Sequence, residues 1–150
     1  MGRLLAVDWG DRRVGLAASD ELRILASPAG VIVRRAGKRP PVAELLRRME
    51  EIGDVDAVIM GLPLDGDGNE TLRCAEVRTV AAAITARSGR AVSFVDERYS
   101  TARAHRAVHE AGGKVGDHRH DMDALTAALL LQAVLDGGAV MAADAGSAEG

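Results

Sequence analysis

Aromatic residues are almost missing from this chain: Trp9, Phe94 and Tyr99 are the whole set in 150 residues. A core must therefore come from Leu, Val, Ile and Ala, and there is no platform on which successive nucleic-acid bases could stack. The single cysteine, Cys74, excludes an internal disulfide and fits a reducing compartment. No apolar run approaches the ~20 residues of a membrane-spanning helix, so no membrane partner is expected. The chain enters a strand pattern without a charged and apolar leader, which makes a cytoplasmic location the expectation. There is no dinucleotide fingerprint and no P-loop, since Val108 stands where the glycine upstream of Gly113-Lys114 would be needed.

What is present is a globular composition, 47% hydrophobic and with little net charge, −3. The length suits one domain, expected over residues 1–136 with a flexible tail over 137–150. The charge is unevenly spread. Residues 1–50 carry ten Lys+Arg against six Asp+Glu, and residues 51–150 carry nine against sixteen. Basic pairs stand at Arg12-Arg13, Arg34-Arg35, Lys38-Arg39 and Arg47-Arg48. Each alone reads as a solvated surface; together they could hold a phosphate backbone near an acidic site.

Periodicity predicts strands at Arg3–Asp8, Val14–Ser19, Gly30–Arg34, Ala57–Leu62 and Ala91–Val95. It predicts helices from Pro40-Pro41 to Met49, from Glu70 to Arg87, from Ser100 or Thr101 to Gly112-Gly113, and from an Asp121 cap to Leu135. A hairpin and third strand followed by helix–strand alternation imply an α/β domain. Its mixed sheet should be antiparallel at the start, parallel later, with helices on both faces. The loop Lys114–His120 is the expected mobile segment.

The chemistry lies in acids at strand ends. Asp8 closes an apolar run, Asp96-Glu97 closes another, and Asp121-Met122-Asp123 opens the last helix. A buried carboxylate costs free energy unless a metal, a cation or hydrogen bonds offset it. In open α/β sheets, sites form outside the carboxyl ends of strands. Acids converging there would repel one another, and a hard cation with oxygen ligands, Mg²⁺ or Mn²⁺, would remove that penalty. Each acid also has a plain structural use: Asp8 in a turn, Glu97 at a solvated strand end, Asp121 as a cap, Asp123 on the helix dipole.

Four segments together resemble a known family: D-W-G-D-R-R-V-G-L-A-A-S-D from Asp8, G-L-P-L-D-G-D-G from Gly61, D-E-R-Y-S-T from Asp96 and D-A-L-T-A-A-L-L-L-Q from Asp123. In order, spanning residues 4 to 135, they are similar to the YqgF (RuvX) family. Its members are pre-16S ribosomal RNA nucleases related to Holliday junction resolvases, within the ribonuclease-H-like superfamily. The resemblance implies a five-stranded mixed sheet flanked by helices. It also implies a divalent-metal site from Asp8, Glu97 and Asp123, the catalytic acids, leaving Asp121 as a cap. Arg12, Arg13, Arg98 and Arg119 are then the expected substrate contacts, with Arg98 equally suited to partner Asp96. His118-Arg119-His120-Asp121 replaces a more basic run of the family. The implied partner is nucleic acid, RNA ahead of DNA, and the implied state a monomer or weak homodimer, since no exposed apolar seam marks an interface.

Other constellations are weaker. Asp65-Gly66-Asp67-Gly68-Asn69 has calcium-loop spacing, but Glu70 stands where the sharp turn needs glycine, so it reads as a polar turn. His105 and His109 have zinc-ligand spacing on a helix but lack the glutamate of a metalloprotease, and read as a solvent face. Rival functions are a phosphotransferase of the actin–hexokinase type, which would need a second lobe, a non-catalytic RNA-binding ribosome-assembly factor, and a resolvase of branched DNA.

Overall fold

Alternating apolar residues that bury both faces make Arg3–Trp9 the central strand, β1. Arg13–Ser19 (β2) returns antiparallel beside it, and Ala26–Val33 (β3) pairs antiparallel with β2. On the other side of β1, Val55–Leu62 (β4) runs parallel to it, and Ala91–Asp96 (β5) parallel to β4. Two residues of the segment expected to fray, Met141–Ala142 (β6), pair antiparallel with β5. The order is β3-β2-β1-β4-β5-β6. This computed structural model describes residues 2–98, 119–138 and 140–142. The helix expected over 100–113, with His105 and His109, lies outside the described residues, as does most of the Lys114–His120 loop.

Among the described residues, three helices cover the sheet: Val42–Ile52 (α1), Leu72–Ser88 (α2) and Arg119–Leu135 (α3). Odd positions of β1 (Leu5, Val7, Trp9) join Val58, Met60 and Phe94 in one core with α1 and α2. Even positions (Leu4, Ala6) join Ala17, Ile59 and Val95 in a second core under Ala127, Leu130 and Leu131 of α3. Each of those buried leucines is worth about 1.5–3 kcal/mol of apolar transfer. Small residues facing α3 on β1 and β2 let the helix lie close to the sheet.

Element boundaries shift for identifiable reasons. β3 starts at Ala26, ahead of the expected Gly30, because Pro28 is tolerated on an edge strand. α1 starts after both prolines, with Pro41 at its N-cap. α2 starts at Leu72 because the Thr71 hydroxyl accepts from the Cys74 N–H. α3 is already under way at Arg119, so Asp121 lies inside its first turn, and the reading of Asp121 as the cap is corrected. The β2–β3 turn exposes Leu22, Ile24 and Leu25, an apolar tip that no helical or strand period announces. No helix among the described residues is long and apolar enough to cross a membrane.

Candidate functional site

Pleating places the acids. Asp8 continues the Leu4–Ala6 side of β1, the side facing α3, and is only 7% exposed. Its register partner on β2 is Gly15. A Cβ on Gly15 would collide with the backbone carbonyl of Asp123, so the first turns of α3 rest directly on the Asp8–Gly15 pair. Glu97 follows β5 two residues after Val95, which faces α3, and is 6% exposed. A Cβ on Gly61 would stand 2.5 Å from Glu97 Oε2. Gly61 belongs to β4, the strand between β1 and β5, and lies one residue beyond the Val7–Met60 pair. The Glu97 carboxylate therefore lies over the bare backbone of the middle strand. Asp8, Glu97 and the turn bearing Asp123 share one face at the carboxyl ends of three parallel strands.

The third acid is already engaged. Arg13 Nε donates to Asp123 Oδ2 at 2.5 Å, with both side chains about one-fifth exposed. Among the described residues, no three His, Cys, Asp or Glu side chains form a group able to hold a metal. The donor chemistry still fits a hard divalent cation: two buried carboxylates with no sulfur or imidazole, beside a slot left bare by Gly61. Asp123 is not grouped with them, and its Oδ2 is taken by Arg13.

The other expected contacts are placed differently from one another. Arg12 is exposed on the β1–β2 turn. Arg98 turns away to Asp96, its Nη2 donating to Oδ2 at 2.7 Å, and reaches the Asp65 and Gly66 carbonyls at 3.4 Å. Arg119 opens α3. Within the Asp65 loop, the Asp65 carboxylate accepts from the Asp67 and Asn69 N–H groups, which is a polar turn. Cys74 is fully buried in the larger core.

Sequence reasoning missed a brace behind the site. Glu76 of α2 accepts from Trp9 Nε1 at 2.8 Å and from both Arg34 Nη atoms at 2.9 and 3.1 Å. Arg34 also donates to the Gly10 carbonyl and lies 5.1 Å over the Trp9 ring. The Arg34 hydrogen bonds, helped by Trp9, hold the Glu76 carboxyl below its ordinary range. This brace pins the turn that follows Asp8. Nothing local in the sequence joins residues 9, 34 and 76. Gly15 and Gly61, by contrast, were visible as glycines inside strands, which signal close approach of another group.

A family model described as "RuvX: Holliday junction resolvase" matches residues 2–137, a span that contains all three acids. The chain belongs to the RuvX family. Relatives of this RuvX-family chain include a protein of Kineococcus radiotolerans, 42% identical over 90% of this chain and 72% of its own length. Another, from Anaplasma marginale, is 37% identical over 89% of this chain and 84% of its own. Both carry the name "Putative pre-16S rRNA nuclease". Among solved structures, T. thermophilus RuvC in complex with a Holliday junction substrate superposes with a TM-score of 0.53. It is 14% identical and covers 95% of this chain and 99% of its own. That likeness shows the fold, which is ribonuclease-H-like.

Proposed function

We propose that this RuvX-family chain is a divalent-metal-dependent nuclease that hydrolyses phosphodiester bonds while the 5′ end of pre-16S rRNA is processed in the cytoplasm. One observation carries the reading: the buried Glu97 carboxylate lies against Gly61, one residue beyond the Val7–Met60 pair that precedes buried Asp8, and the Asp123 carbonyl lies against Gly15, the register partner of Asp8. Membership of the RuvX family and the names of its relatives support it.

Asp8, Glu97 and Asp123 would hold the cation, Mg²⁺ or Mn²⁺. When bound, such an ion supplies an activated water and neutralises charge on the scissile phosphate and leaving oxygen. The protein's own residues do the rest. Gly61 keeps the space between Asp8 and Glu97 clear of side chain. Arg12, on the rim, contacts the phosphate backbone, and Arg119 adds charge at the start of α3. Arg13 pairs with Asp123 and would contact a phosphate bound beside it. Arg98 steadies the strand end before Glu97 through Asp96 and adds to the positive field at the rim. The catalytic unit is residues 1–136, working as a monomer or weak homodimer.

Replacing Asp8 by Asn should abolish Mg²⁺-dependent cleavage of an RNA spanning the 5′ junction of the 16S precursor, while circular dichroism shows the same fold. Undiminished cleavage by the variant would sink the proposal. A non-catalytic assembly factor predicts the reverse pattern, with function lost on changing the arginines and kept on changing the acids. The family description favours one second reading, resolution of branched DNA. Cleavage of a four-way DNA junction in preference to the RNA would select it, and a two-fold dimer would have to accompany it.

A further inference from the structure

The four basic pairs of the N-terminal half are not equivalent once folded. Arg34 is neutralised by Glu76, Arg47 by Glu44 and Glu51, and Arg48 by Glu44. Glu44 itself is held below its ordinary carboxylate range, first by Arg47 and then by Arg48. Arg35, Lys38 and Arg39 are exposed and make no ion pair among the described residues. Three cations in five residues, with no carboxylate paired to them among the described residues, repel one another, and an anion of matching extent would relieve that repulsion.

The chain gathers them into a groove. The Lys38 N–H donates to the Arg35 carbonyl at 3.1 Å, and Gly37 takes the left-handed backbone, φ 75°, that closes the turn. The three cations line an open depression of about 370 Å³, with Val33 and Pro41 among its apolar residues and the Arg48–Glu44 pair also against it. Val33 is 56% exposed, an apolar surface on which a sugar can rest. The groove lies at the right end of the sheet. β3 is antiparallel to β2, and β2 to β1, so β3 runs with β1 and ends at the same edge as Asp8. The Arg34 N–H donates to the Arg12 carbonyl at 2.8 Å, which joins this turn to the one bearing Arg12.

We propose that this groove is a second phosphate seat, holding the backbone of the polynucleotide that enters the acidic site, one or more phosphates away from the scissile bond. Arg12 links the two along the rim. The seat rests on the nuclease reading for its occupant and adds where the rest of the strand goes. Its chemistry is charge without base recognition, consistent with the lack of aromatic side chains in the groove.

The test is binding of a labelled single-stranded RNA too long to be covered by the acidic site alone, read by fluorescence anisotropy in EDTA over a range of salt. For a single strand, each phosphate that is no longer neutralised lowers the slope of log affinity against log salt by about 0.7. The triple variant Arg35→Gln, Lys38→Gln, Arg39→Gln should therefore bind with a slope smaller by about 2, and at least about tenfold more weakly at low salt. Arg47→Gln, on the neighbouring helix α1 but paired with Glu44 and Glu51, should keep the wild-type slope. Melting curves confirm that both variants are folded. If the triple variant does not fold, Lys38→Glu alone should lower the slope by about 1, since it removes one cation and adds an anion that repels the strand. A groove variant that binds with wild-type slope and affinity, in a protein that cleaves RNA, overturns the second seat and leaves the nuclease standing. A wild-type protein that neither binds nor cleaves RNA overturns both.

Discussion

Two glycines shape the site by what they leave out, and they differ in what a methyl group would strike. At Gly61 the obstacle is the end of the flexible Glu97 side chain, 2.5 Å from the added Cβ. Gly61→Ala should cost less than about 1 kcal/mol of stability, because the carboxylate can swing aside. The swing moves a group proposed to hold the cation, so cleavage should drop about 100-fold in a single-turnover assay, with the melting temperature nearly unchanged. At Gly15 the obstacle is the backbone carbonyl of Asp123, which cannot turn away. Gly15→Ala should destabilise the protein by about 3 kcal/mol, read as a lower urea midpoint at constant slope. At this scale the acids themselves were legible, because carboxylates at the ends of apolar runs stand out. The capture of Asp123 by Arg13 was not, since 110 residues separate the partners.

The elements are joined by charged contacts that report on pH. Glu76 on α2 binds Trp9 of β1 and Arg34 just after β3, so one carboxylate ties three elements. Its pKa is depressed in the folded state. Stability from it is therefore complete above the unfolded value of 4.5 and is lost as pH falls through the lower folded value. Glu76→Gln should cost about 1 kcal/mol at neutral pH, a figure kept small because the Glu76 side chain is 40% exposed. Below the ordinary Glu range the variant should converge on wild type in denaturant titrations. A constant gap across that range would show that packing, not charge, holds the brace. Asp20 and Glu70 are also held low, by the Leu25 and Ile24 N–H groups and by Arg78, so the acid loss of stability should shrink without vanishing. Strand and helix identities were readable from period and turn residues, whereas this three-element contact required the fold.

For the molecule as a whole, the decisive quantity is whether a divalent cation binds the folded state. A ligand that binds only the native protein raises its stability, by about 2.7 kcal/mol at a hundredfold excess over its dissociation constant. Mg²⁺ or Mn²⁺ should raise the melting temperature of the wild-type chain, and the rise should disappear in Asp8→Asn and in Glu97→Gln. Equal shifts in all three proteins would place the ion elsewhere on a chain that carries 22 acidic residues. The global layout ends β1, β4 and β5 at one edge, with the first turns of α3 resting on Gly15, the β2 partner of Asp8.

The amino-acid order alone determined the α/β class, the strands β1 to β5 and the helices among the described residues, because apolar period and turn chemistry are local properties, whereas β6 arose in a segment read as a tail. It also marked the acids Asp8, Asp96-Glu97 and Asp121 to Asp123, since a carboxylate beside a buried run is physically conspicuous wherever the chain goes, and the family resemblance narrowed these to Asp8, Glu97 and Asp123. Tertiary structure decided which charges remain available. It tied Asp123 to Arg13, Arg98 to Asp96 and Arg34 to Glu76, and left Arg35, Lys38 and Arg39 facing solvent. Whether a charge is paired depends on residues brought near it through space, and sheet register and helix placement set those neighbours.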